Sequence, residues 1–209
     1  MPDDLEGVIA CVSPGVALVS GFDDAIAKRG IDVHMVDASV DGPAVSHPRF
    51  HFRKLYIGPS TEDNFISLED LCRSIPQFET NGDLILLMDI EGAEYVVILG
   101  MPEDLLSRFR IIIIEFHNLE SIFHKFSFEL MNAAFAKLLR HHKAVHLHPN
   151  NIGGSVTCFG QIVPCVMEMT FYRKDRAEFN RDRERHYPHP LDKDNGLLMA
   201  PLILPPEWR

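Results

Sequence analysis

An apolar run that stops abruptly on an acid constrains this chain more than any other feature of its 209 residues. Residues 84–88 are uniformly apolar, and Asp89, Glu91 and Glu94 follow around Gly92. A short run that is apolar at successive positions reads as a strand covered on both faces, as in a parallel sheet. Its polar ending delivers side chains to the carboxyl edge of that sheet, where ligands of open α/β folds bind. The pattern recurs at once: residues 111–114 are apolar and end on Glu115 and His117. Two successive strands that both end in ionisable groups predict a site at one edge of the sheet.

The rest of the chain alternates in the same way. Strands are expected over 8–12, 31–36, 50–57, 84–88, 111–115, 144–148 and 163–172. Helices are expected over 22–29, 67–75, 93–99, 102–109 and 126–141. Gly30 closes the first helix, and Ser67 caps the second ahead of Glu69 and Asp70. Phe128, Met131, Phe135, Leu138 and Leu139 form the apolar face of the longest helix. Such alternation predicts a doubly wound α/β fold. Only a loop over 150–160 separates the last two strands. A parallel pair needs a crossover of a dozen or more residues, usually helical, so the last strand is expected to be antiparallel. The reading gives one domain over 1–175. A tail over 176–209, with Pro188, Pro190, Pro201, Pro205 and Pro206, is expected to pack on its surface.

The formal net charge of −10 argues against a nucleic-acid partner. Cys11, Cys72, Cys158 and Cys165 are scattered with no C-x-x-C pair, which suggests free thiols in a reducing compartment. The start, Met1-Pro2-Asp3-Asp4, has no signal-peptide pattern, and no apolar run approaches a membrane span. A soluble cytoplasmic protein is expected, with its oligomeric state open.

Several residues stand out as candidates. Gly15 follows the first strand and permits close backbone approach to a ligand, although Ala17 stands where a second glycine would help. Asp37 ends the second strand about twenty residues on, the position of a ribose-binding acid; Asp37-Ala38-Ser39 is equally good turn chemistry. Asp89 and Glu91 share a side if their strand continues. Glu94 reads as a first-turn helix acid favoured by the macrodipole. Glu115 and His117 pair an acid with an imidazole, and His146 and His148 share a strand face just before Asn150 and Asn151. A rim of acids and imidazoles suits a divalent metal. No H-E-x-x-H spacing is present and no histidine pattern supports a metal site, so none is assigned.

Asp89-Ile90-Glu91-Gly92-Ala93-Glu94, followed by Ile114-Glu115-Phe116-His117, resembles the FkbM-type S-adenosylmethionine-dependent methyltransferases. Phe65-Ile66-Ser67-Leu68-Glu69-Asp70-Leu71, His148-Pro149-Asn150-Asn151, the stretch 164–173 and the tail over 191–208 are similar too. The resemblance implies a Rossmann-like seven-strand methyltransferase sheet with an antiparallel last strand, and S-adenosylmethionine across its strand tips. Gly15 would approach the donor's amino-acid part, Asp37 its ribose, and Ile57 and Gly58 its adenine. Asp89 and Glu91 would lie where donor and acceptor meet. The implied reaction is methyl transfer to an oxygen of a small or sugar-like acceptor. His117 is the first choice of base, with Glu115 orienting it or binding acceptor hydroxyls, and His148 is the second. With the first strand opening at Val8, no covering helix is expected ahead of it. The alternatives are a non-catalytic binding module of the same fold, or a metal-assisted enzyme using the acid and histidine rim.

Overall fold

The computed structural model describes residues 1–16, 20–176, 188–205 and 208. Ala17, Pro206 and the stretch 177–187 of the tail lie outside the described residues. The strands are β1 (Val8–Pro14), β2 (Asp32–Val36), β3 (Phe50–Arg53), β4 (Tyr56–Gly58), β5 (Phe65–Ser67), β6 (Asp83–Met88), β7 (Phe109–Phe116), β8 (His142–Pro149), β9 (Ser155–Cys158), β10 (Gln161–Pro164) and β11 (Met167–Arg173). The helices are α1 (Gly21–Lys28), α2 (Leu68–Arg73), α3 (Glu94–Gly100), α4 (Glu103–Arg108) and α5 (Lys125–His141). Seven strands form one sheet in the order β3-β2-β1-β6-β7-β11-β8. Neighbours from β3 through β7 are parallel. β11 inserts antiparallel between β7 and β8, the direction expected of the last strand, although the connection from β8 is longer than expected and holds the β9–β10 hairpin.

Side chains alternate across the sheet, so each apolar strand feeds two cores. Leu84, Leu86 and Met88 of β6 and Ile112, Ile114 and Phe116 of β7 join one core, with Leu71, Ile98, Leu106 and Leu138 from the helices on that face. Ile85, Ile111 and Ile113 turn to the other core, where Ile26 and Ala27 of α1 meet Cys11, Val33 and Met35. Burial on both faces is why β6 and β7 carry no alternating polar residues until they end. The Ser67 hydroxyl accepts the Asp70 backbone N–H at 3.1 Å and caps α2. Gly30 closes α1 at φ +87°.

Four local expectations are corrected. The strand expected over 50–57 is two strands, because the chain leaves the main sheet after Arg53 and β4 pairs with β5 instead. The strand expected over 163–172 is broken after Pro164, and the preceding loop contains β9, which forms a hairpin with β10. α2 stops at Arg73. On α5 the buried residues are Met131, Ala134 and Leu138, whereas Phe128 and Leu139 are exposed. Periodicity marked the correct helix but a face that is too wide. Among the described residues no helix is long and apolar enough to cross a membrane.

Candidate functional site

A pocket of about 320 Å³ opens beyond the carboxyl ends of β1, β2 and β6. Gly15, Asp37, Ile57, Asp89 and Glu91 all line it. Gly15 is at φ +81°, and a Cβ there would stand 1.5 Å from the Asp89 carbonyl oxygen. Only glycine fits such a position. Backbone hydrogen bonds tie the three strand ends together: Gly15 N–H donates to Val36 O at 3.0 Å, and Asp89 N–H donates to Pro14 O at 3.1 Å. Asp37 does turn chemistry and faces the pocket as well. Its carboxylate accepts the Val16 N–H at 2.9 Å and the Ser39 N–H at 2.8 Å. Tyr56 and Phe65, with ring centroids 5.4 Å apart, form an aromatic wall beside Ile57. Gly58 lines a separate cavity of about 210 Å³ with Ser67 and Asp70, away from the other donor-site candidates.

Next to this pocket the ends of β6 and β7 form an acidic ledge around His117. The strand stops at Met88, so the shared-side reading of Asp89 and Glu91 does not apply: Glu91 is left-handed at φ +57° and Gly92 follows at φ +107°. The reversed loop nevertheless brings the carboxylates together. His117 Nε2 lies 3.8 Å from Asp89 Oδ1, 3.7 Å from Glu115 Oε2 and 3.5 Å from Glu91 Oε2. Asp89 Oδ1 is buried and has no hydrogen-bond partner among the described residues. Glu115 is steadied by Asn150, whose amide donates to Oε1 at 2.9 Å.

Glu94 holds the ledge together. Its side chain is fully buried. Its Oε1 accepts the N–H groups of Gly92 at 3.0 Å and Ile90 at 3.3 Å, and lies 3.0 Å from His117 Nδ1. The sequence suggested only a first-turn helix acid. Its place as the third acid of the D-x-E-G-x-E motif was the available signal, but burial and the link to His117 depend on how β7 lies beside α3.

The electrostatics follow from this packing. Burial pushes the His117 imidazole toward neutrality. The Glu94 hydrogen bond, with the charges of Glu94, Asp89 and Glu115, outweighs burial and raises its pKa to about 9. Burial and then the Glu115 charge raise the Asp89 carboxyl to about 7, with His117 opposing. Burial also resists ionisation of Glu94, but its hydrogen bonds from His117 and Gly92 prevail and hold its carboxyl below the usual range.

His148 is placed elsewhere. It sits on β8, two strands from Glu115 across Glu168 of β11. Its Nε2 is 2.9 Å from the Lys193 carbonyl oxygen and its Nδ1 is 3.6 Å from Asp192. His146 Nε2 is 2.8 Å from Asp192. The tail thus occupies the imidazoles of His146 and His148, and neither reaches the ledge. Asn151 likewise turns to the tail and bonds Gly196. Leu204 carries the tail into the core.

No curated protein matches this sequence. Among solved structures, similarity extends to a provisionally assigned DNA modification methyltransferase encoded within a prophage in E. coli, at 14% identity and TM-score 0.47, over 80% of this chain and 47% of that one. This chain therefore spans about half of that protein's length. The fibrillarin/Nop5p complex is similar at 10% identity and TM-score 0.48, over 81% and 74% of the two chains. The N-methyltransferase NodS from Bradyrhizobium japonicum WM9, in complex with S-adenosyl-L-homocysteine, is similar at 11% identity and TM-score 0.38, over 80% and 79%. At such identities and scores the identification rests on sequence. The model of the methyltransferase FkbM domain matches residues 38–142, which span β3 to the start of β8 and contain Asp89, Glu94, Glu115 and His117. The match covers half of the chain, and the chain belongs to the FkbM methyltransferase domain family.

Proposed function

We propose that this protein transfers a methyl group from S-adenosylmethionine to an oxygen of a small or sugar-like acceptor. The observation that carries the reading is the pocket in which Gly15, Asp37 and Asp89 meet, beside a ledge rich in carboxylates. Its volume of about 320 Å³ is within the range of small-ligand sites. Gly15 lets the ends of β1 and β6 come together beneath the pocket, since a Cβ there would strike the Asp89 carbonyl. Asp37 lines the pocket at the tip of β2, where ribose hydroxyls would take the place of the Ser39 hydroxyl, 2.6 Å from Oδ1. Ile57, Tyr56 and Phe65 give an apolar wall suited to a flat base. The donor supplies a methyl group on a positively charged sulfur, and the acids at the pocket's inner end favour that charge.

Methyl displacement depends chiefly on alignment, for which a rigid near-attack geometry supplies up to about 7–11 kcal/mol. The ledge offers Glu91 and Glu115 as hydrogen-bond acceptors for acceptor hydroxyls. While His117 Nε2 carries its proton it cannot accept another, so proton removal falls to the carboxylates and solvent rather than to the first-choice base. His148, paired with the tail, takes no part. The net charge of −10 favours a small neutral acceptor over a nucleic acid.

Calorimetry with S-adenosylhomocysteine tests this reading. Wild type should bind it, and Asp37→Ala should weaken binding about tenfold, equivalent to about 1.4 kcal/mol. Unchanged affinity in Asp37→Ala removes Asp37 from the donor site, and no binding by wild type at millimolar ligand defeats the methyl-transfer reading.

A further inference from the structure

We propose that Asp89, Glu115 and His117 form a divalent-cation site between the donor pocket and the acceptor. One ligand atom from each lies within 4.8 Å of the others. The distances from His117 are those of groups around a shared centre rather than of direct hydrogen bonds. Nε2 of His117 stands 3.8 Å from Asp89 and 3.7 Å from Glu115, too far for a hydrogen bond to either. Ligand atoms bound at about 2.1 Å around one ion stand roughly 3.0–3.5 Å apart. Between His117 and each acid that arrangement needs a contraction of only a few tenths of an ångström.

Two independent features support the assignment. The outer partners are already in place. Buried Glu94 is 3.0 Å from His117 Nδ1, which orients Nε2 toward the acids, as a carboxylate behind a metal-bound histidine does. Asn150 holds Glu115 Oε1 at 2.9 Å and leaves Oε2 turned to the ledge. The second feature is Asp89 Oδ1, a buried carboxylate oxygen with no hydrogen-bond partner among the described residues. Such an atom calls for an explanation, and a bound ion is a common one. A divalent ion at Nε2 displaces the proton there, and the same carboxylates favour either cation.

Two carboxylates with one imidazole suit Mn²⁺, with Mg²⁺ and Zn²⁺ as competitors. Asp89 also lines the donor pocket, so the ion's remaining positions face the reacting groups. The use of the ion rests on the methyl-transfer reading; its binding does not. In that use it holds the acceptor oxygen and makes its hydroxyl more acidic. The O–H proton leaves to solvent at the open lip beside Glu91, whose side chain is 86% exposed. The oxygen lone pair forms the O–C bond to the methyl carbon as the C–S bond breaks, and that pair stays on sulfur in S-adenosylhomocysteine.

The test is Mn²⁺ titration of chelator-treated full-length protein, read by electron paramagnetic resonance, with S-adenosylhomocysteine binding measured separately by calorimetry. One Mn²⁺ per chain is expected. Glu115→Gln and Asp89→Asn, which conserve shape, should each weaken it at least about tenfold, and Glu94→Gln, a positioning change, by about tenfold. His148→Ala should leave it unchanged. Absence of stoichiometric Mn²⁺ in wild type overturns the proposal even if a variant fails to fold. Equal Mn²⁺ affinity in folded Glu115→Gln and Asp89→Asn overturns it too. Mn²⁺ binding without S-adenosylhomocysteine binding keeps the cation site and defeats the donor reading.

Discussion

The ledge at β6 and β7 and the end of β8 are written in the same sequence language, and the fold uses them differently. Both place histidines and an acid or amide where a strand ends. β6 and β7 are adjacent and parallel, so their tips coincide, and Asp89 and His117 meet although 28 positions separate them (117 − 89). β8 is separated from β7 by an antiparallel strand, and its His146 and His148 are taken by Asp192 of the tail. Ionisable strand ends therefore make a site where neighbouring tips converge and the chain leaves the space beside them open. Where a later segment covers them, the same groups become an anchor.

The sharpest way to break this contrast is at the floor of the pocket. Gly15→Ala puts a Cβ 1.5 Å from the Asp89 oxygen at a left-handed position, whereas Gly30→Ala is also left-handed but meets nothing within 4 Å. Gly15→Ala should cost about 3 kcal/mol or more and abolish S-adenosylhomocysteine binding. Gly30→Ala should cost only about 1–2 kcal/mol and keep binding. Denaturant melts with calorimetry decide it; equal costs would show that the junction of β1 and β6 has no special role.

A middle-sized effect comes from His34 on β2, a buried imidazole whose Nε2 has no hydrogen-bond partner among the described residues. Burial, then the charge of His51, lowers its pKa to about 4, opposite to the carboxylate-surrounded His117. Because the folded value is below the unfolded value of about 6.5, the unfolded chain takes up the proton first as pH falls. The contribution is present above pH 6.5 and is lost progressively toward pH 4, by at most about 3 kcal/mol. Stability measured across that window should fall in wild type and fall less steeply in His34→Gln. An unchanged slope would separate the effect from His34.

The smallest effect belongs to the tail. Asp192→Ala removes the partner of His146 and His148 and an acceptor for the His189 N–H at 2.7 Å. It should lower stability by about 1 kcal/mol and leave S-adenosylhomocysteine affinity unchanged. A loss of affinity as large as that of Asp37→Ala would place the tail within the site and end the contrast.

Much of this was legible because local rules and the fold agree. The Ser67 cap, the Gly30 terminus, the apolar strands and the antiparallel last strand all follow from neighbours in sequence. The acids at 89 and 115 and the imidazole at 117 were legible as strand-end groups. Glu94 was not, since a buried carboxylate and a solvated helix acid look alike until β7 is placed beside α3. His148 was misplaced for the converse reason: its face on β8 was clear, but the segment covering it lies more than forty residues further along, at Asp192 and Lys193.

By itself the sequence determined where strands and helices form, which strand must run backwards, and which residues end the strands with charge. Those properties depend on periodicity, caps and connection length, all of them local. Tertiary structure alone decided which charged ends became neighbours and what state each holds. Desolvation and Coulomb interaction depend on distance and burial, and packing sets these between residues far apart in the chain. His34 is driven toward neutrality and His117 toward its charged form by that packing, though nothing in an isolated histidine distinguishes them.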